Sequence, residues 1–151
     1  SKPISKDDTI LQKSFLKANK IGITDILISI NDAKKNVSNH IQLISTVKDD
    51  DLEKFRSFNW NTKNIINNIH RNKVKEVYFT KLGLIDQINV NENTFEYQIR
   101  IIENYCKKNN IYNKRLHSPT GMGLREGKRV ETLKKRWKSN GIRQQFSSDS
   151  K

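Results

Sequence analysis

The sequence is poor in residues that build covalent or metal cross-links. Its 151 residues hold one cysteine and three histidines. The lone Cys106 excludes an internal disulfide and any cysteine-rich metal site, and it points to a reducing compartment. The histidines are scattered with no zinc-ligand spacing, so neither a metal nor a cofactor is expected. Long apolar runs are missing too. None approaches the roughly 18 residues that span a bilayer, and no signal peptide is visible. The chain therefore reads as intracellular, cytoplasmic or nucleoid/nuclear, without a membrane partner. It begins with Ser rather than Met, as a processed or trimmed start would. Internal repeats and low-complexity tracts are also lacking. Hydrophobic residues make up only 34%, yet two Trp, six Phe and many Ile and Leu favour a folded chain over a disordered one. This length suits one domain, placed over residues 1–143, with a disordered polar tail over 144–151.

What is abundant is positive charge. The net charge of +13 favours an anionic partner. The excess is uneven. Between Lys114 and Arg143 stand ten Lys or Arg (114, 115, 125, 128, 129, 134, 135, 136, 138 and 143) against Glu126 and Glu131, a surplus of eight. A solvated helix face accounts for such a run on its own. Its position beside a Gly-rich turn points instead to phosphate contacts.

The coarse pattern alternates strands and helices. Asp7 or Asp8 can cap a helix carrying Ile10, Leu11, Phe15 and Leu16, and 19–22 ends it. Residues 23–30 are β-branched and short, as in a buried strand, and 31–39 is turn-like. Asp49, Asp50 and Asp51 open a short helix with Leu52 and Phe55, where acids suit the helix dipole. Residues 62–72 form a helix with Ile65, Ile66 and Ile69 inward. Residues 73–80 are the clearest strand. A long helix over 93–109 buries Phe95, Ile99, Ile102 and Cys106. Residues 111–116 form a third strand, and a last helix over 125–139 places Val130, Leu133 and Trp137 on one face. Gly141 stops it. Such alternation predicts parallel βαβ units in an α/β fold. In these folds the loops beyond the carboxyl ends of strands form the site, here 80–83 and 117–123.

The second loop is the more informative. Ser118-Pro-Thr-Gly121 breaks the chain, and a cationic amphipathic helix follows. Hydroxyls beside Pro and Gly commonly shape a turn, and a lone His such as His117 is often a local hydrogen-bonder. The same residues can also meet a phosphate backbone. Asp49–Asp51 with Glu53 and Lys54 superficially resemble clustered nuclease acids, but acidic capping of a helix explains them better.

Leu116-His-Ser-Pro-Thr-Gly-Met122, followed by Arg129-Val-Glu-Thr-Leu-Lys-Lys-Arg-Trp137, resembles the last motif and final helix of the uracil-DNA glycosylase superfamily, in particular its mismatch-specific and hypoxanthine-type branches. Ile21-Gly-Ile-Thr-Asp25, the Ser38 region, and Ile65 through Val77-Tyr-Phe-Thr80 follow in the family's order, so the resemblance spans about residues 10 to 140. It implies a three-layer α/β/α fold with a short parallel sheet, N-terminally incomplete. It also implies a DNA partner, with RNA as the other candidate polymer, and a damaged or mismatched base flipped into a pocket at a cost of a few kcal/mol. By position, Ser118 stands near the departing base, with His117 beside it as a second catalytic candidate. Thr120 and Gly121 lie against phosphate, Met122 enters the vacated stack, and Arg125, Lys128 and Arg129 hold flanking phosphates. The family's first strand and its water-activating motif are not found before Asp8. Either that start has been removed or the chemistry has been lost, and what remains is then a non-catalytic nucleic-acid-binding module.

Overall fold

The computed structural model describes residues 6–46, 48–82, 90–118 and 129–143. In chain order these form α1 (Lys6–Ala18), β1 (Leu27–Ile30), α2 (Ser38–Ser45), α3 (Asp49–Leu52), β2 (Phe58–Trp60) and α4 (Thr62–Arg71). There follow β3 (Glu76–Phe79), α5 (Phe95–Lys108), β4 (Tyr112–Arg115) and α6 (Arg129–Ser139). The chain is an α/β protein, as the alternating pattern predicts. Among the described residues no helix is long and apolar enough to cross a membrane.

The strand at 23–30 was expected in the parallel sheet, and here the structure differs. There are two small sheets: β1 pairs antiparallel with β2, and β3 pairs parallel with β4. The cause of the first pairing lies just beyond β1. The Asp32 carboxylate accepts the backbone N–H groups of Arg56 (2.9 Å) and Ser57 (3.2 Å), and Asn31 N–H donates to Ser57 O at 2.8 Å. These bonds tie the exit of β1 to the entry of β2, which forces the strands to run in opposite directions. The Arg56 N–H, first among these donors, also holds the Asp32 carboxyl below the usual carboxylate range.

The core lies between α4, α5 and the parallel pair. Ile69, Ile102 and Cys106 are buried together, with Ile65, Ile66, Val74, Val77, Phe79 and Ile111 packed around them. The apolar face expected of the long helix is the one observed, since Phe95, Ile99, Ile102 and Cys106 are all buried. Two acceptors secure its first turn. Thr94 Oγ1 takes the N–H of Tyr97, and Glu53 Oε1 takes that of Phe95 at 2.8 Å. By contrast, α1 leaves Ile10, Leu11 and Phe15 exposed. Asp7 and Asp8 lie within α1 and not ahead of it as caps. The helix ends within 19–22 as expected, at Lys20, which sits in the left-handed region at φ 54°. There Lys20 N–H and Ile21 N–H donate back to Lys17 O and Leu16 O, closing the last turn.

Cys106 has no exposed surface, and burial pushes its thiol up to about 11. A disulfide reagent should therefore label it only through opening of the core. The labelling rate in native buffer is expected to lie far below that in urea. Rapid stoichiometric labelling of the native protein would contradict this core.

Candidate nucleic-acid interface

Parallel pairing brings both carboxyl ends of the β3–β4 sheet to one edge. Phe79 is in register with Arg115, and Leu116 N–H continues the ladder to Phe79 O at 2.6 Å. Residues 80–82 and 116–118 therefore leave the sheet side by side, as expected for a βαβ unit. Leu116 is buried and anchors the second loop, while His117 and Ser118 beyond it are half-buried.

Side chains alternate across the pair. Val77, Phe79 and Arg115 face α4 and α5, where Arg115 meets two carboxylates of α5. Its guanidinium donates to Glu96 (Nη1 2.7 Å, Nη2 3.0 Å) and Glu103 (Nε 2.7 Å, Nη2 2.8 Å). Arg100 Nε also donates to Glu96, at 2.8 Å. The Arg115 guanidinium is the main reason that the Glu96 carboxyl sits below its usual range, outweighing the opposing effect of burial. The sequence count placed Arg115 in the surface excess of cations. The structure removes it from that set, because its charge is neutralised inside.

Tyr78 and Tyr112 occupy the opposite face, where the end of α6 docks. Tyr112 Oη donates to Gly141 O at 2.5 Å, and Arg143 N–H donates to Tyr78 Oη at 3.0 Å. Gly141 stops the helix as expected, and its φ of +92° is one that side chains resist. A Cβ there would meet Tyr112 Oη at 2.9 Å. Burial, with help from the hydroxyl's bond to Glu76, pushes Tyr78 up to about 12, so it stays a neutral hydroxyl.

The C-terminal half of α6 is joined to the loop after β4 by two bonds. Trp137 Nε1 donates to His117 O at 2.8 Å, and His117 Nδ1 lies 2.8 Å from Asn140 Oδ1. With the amide oxygen as acceptor, His117 Nδ1–H is the donor of this bond. Docking turns Leu133, Arg136, Trp137 and Asn140 partly inward and leaves Lys134, Lys135 and Lys138 exposed. At 3.6 residues per turn these lysines share an arc of about 100°.

Of the site residues predicted from sequence, His117 and Ser118 are thus placed at the carboxyl edge, against α6. Thr120, Gly121, Met122, Arg125 and Lys128 lie outside the described residues, as do 144–151. Arg129 opens α6, and its side chain is likewise not described. Thr80 is exposed beside the same edge, while Asp25 lies at the other sheet, its carbonyl accepting from Asn61 Nδ2 at 2.9 Å. The acids that resemble a nuclease cluster are engaged elsewhere: Asp49 by Lys81, Asp51 by Lys54, and Glu53 by the Phe95 N–H. Burial raises the Glu53 carboxyl above its ordinary value. Among the described residues no group of three or more His, Cys, Asp or Glu could hold a metal ion. Sequence reasoning missed Tyr78, Tyr112 and Asn140, and it counted Arg143 only as one of the cations. The one available signal was the alternation of the two tyrosines with the inward residues of strands already recognised. No family model, curated protein or solved structure matches the chain.

Proposed function

We propose that this chain is a nucleic-acid-binding α/β module. It meets the polymer with the exposed lysines of α6 and the loop that leaves β4. One observation carries this reading: Trp137 and Asn140 fasten α6 to His117, so the most cationic helix stands at the carboxyl edge of a parallel strand pair. Three lysines on one arc repeat a positive charge along a helix, which suits the repeating charge of a phosphate backbone. Arg143 and Lys114, both exposed, extend this surface.

The test is binding of labelled DNA and RNA, followed by anisotropy between 50 and 200 mM salt. Affinity is expected to fall linearly on a double-logarithmic plot, with a slope near −0.9 for each duplex phosphate neutralised. Absent binding, or binding indifferent to salt, would sink the reading.

Base excision on DNA, within a three-layer fold of the uracil-DNA glycosylase type, is the second reading. It is favoured by His117 and Ser118, which stand half-buried and consecutive where the chain leaves β4 at the carboxyl edge. Hydrolysis of the glycosidic bond needs a positioned water and stabilisation of the positive charge that develops on the sugar. On this reading His117 and Ser118 supply those roles, while Met122 fills the gap left by the flipped base. Duplexes with uracil, hypoxanthine or a mismatch should then yield abasic sites. Salt-sensitive binding with no abasic product leaves the binding module alone.

A further inference from the structure

The strongest unassigned feature is the face of β3–β4 that carries Tyr78 and Tyr112. Their ring centroids lie 6.2 Å apart at 69°, an edge-to-face pair. The chain leaving α6 crosses them, held by the Tyr112 hydroxyl on Gly141 and by the Tyr78 hydroxyl under Arg143 N–H. This route brings Arg143 Cζ to 3.5 Å from the centre of the Tyr112 ring, which is van der Waals contact across the face. Lys114 Nζ lies 5.9 Å from the same centre. The route is fixed in advance, since Gly141 alone fits its turn against Tyr112.

Arg143 remains exposed, and the ion pairs among the described residues give it no carboxylate. Glu76, the acid on this face, instead accepts from the Tyr78 hydroxyl at 2.6 Å. A planar cation with one side laid on an aromatic ring offers its other side to a second flat π-system. Its N–H edge remains able to donate to a phosphate. Nucleobases supply both groups, but a base inside a duplex has neither face available, whereas an unpaired base has.

We propose that Arg143, supported by Tyr112, is a base-stacking platform for single-stranded nucleic acid, with Lys114 and Lys138 receiving the neighbouring phosphates. The proposal rests on the nucleic-acid reading above and narrows its ligand to unpaired strands. It also explains why the Arg143 guanidinium carbon is held 3.5 Å from the centre of the Tyr112 ring.

Arg143→Lys is the discriminating variant, because it keeps the charge and removes the plane at an exposed position. The full chain is titrated with a single strand carrying 2-aminopurine and with a duplex of equal length. The wild type should prefer the single strand and quench the 2-aminopurine. Arg143→Lys should weaken single-strand binding about tenfold, the scale of one lost stack. It should also reduce the quenching, while the salt slope, set by the retained charge, stays in place and single-strand binding falls by more than duplex binding. A variant that binds and quenches like the wild type overturns the platform but leaves salt-sensitive binding intact. If neither protein binds either polymer, the nucleic-acid reading fails and the platform falls with it.

Discussion

Replacing Arg115 with Ala is expected to destabilise the fold by about 3 kcal/mol at pH 7, the lower end for breaking a buried ion pair. Arg115 makes four hydrogen bonds to two acids of α5, and side-chain exposure is low at all three positions: 18% for Arg115, 4% for Glu96 and 16% for Glu103. Without the guanidinium, Glu96 keeps, among the described residues, the ion pair with Arg100, whose own side chain is 53% exposed. An almost fully desolvated carboxylate with one distant-reaching partner is costly. The effect on acid stability follows from the sign of the shift. The Glu96 carboxyl is lowered in the fold, so its contribution is complete above the ordinary Glu value of about 4.3 and disappears as pH falls through the lower folded value. Glu53 acts oppositely, since a raised carboxyl gains stability as pH falls through its folded value. Urea midpoints at pH 7 and pH 3.5 should therefore converge between wild type and variant on the acid side. The double change Glu96→Gln with Arg115→Met should recover part of the loss at pH 7, because the more deeply buried of the two carboxylates is then neutral and only Glu103 loses its cation. A single variant within 0.5 kcal/mol of wild type would refute the pairing.

The same arginine shows where the sequence stops being legible. Net charge can be counted, but partners 12 and 19 residues away cannot be read from a count, so Arg115 passes for a surface cation until the fold brings α5 against it. Features with a period survive the reading. The 3.6-residue spacing of Ile99, Ile102 and Cys106 marks the buried face of α5, and the β-branched and aromatic run around Val77 marks β3. Their parallel pairing follows from the intervening helix. β2 has only three residues, too short for alternation to stand out, and its partner is chosen by the Asp32 carboxylate in a turn. The loop after β4 was recognisable from Pro, Gly and the cations that follow it. What holds that loop was not: His117 meets Asn140 over 23 residues of sequence, and Tyr112 meets Gly141 over 29. Side-chain bonds of that span have no periodic signature.

The largest effect on binding is expected when Lys134, Lys135 and Lys138 are all changed to Ala. Each is exposed on α6, so stability should stay within about 0.5 kcal/mol per site. If each lysine neutralises one duplex phosphate, the salt slope should fall by about 2.7, three times the 0.9 unit lost per contact. At 50 mM salt this corresponds to a drop in affinity on the order of a hundredfold or more, shrinking as salt rises because the lost term is counterion release. Trp137→Phe provides the complementary measurement. It keeps an apolar ring but loses the indole N–H that holds His117 O, so the lysine face is unmoored from the β4 loop without loss of charge. Binding should weaken less than in the triple variant, with the salt slope nearly retained if the helix still docks. A triple variant that keeps the full slope would place the polyanion elsewhere on the molecule. In that case α6 is a solvated cationic helix, and its fastening to His117 serves the fold alone.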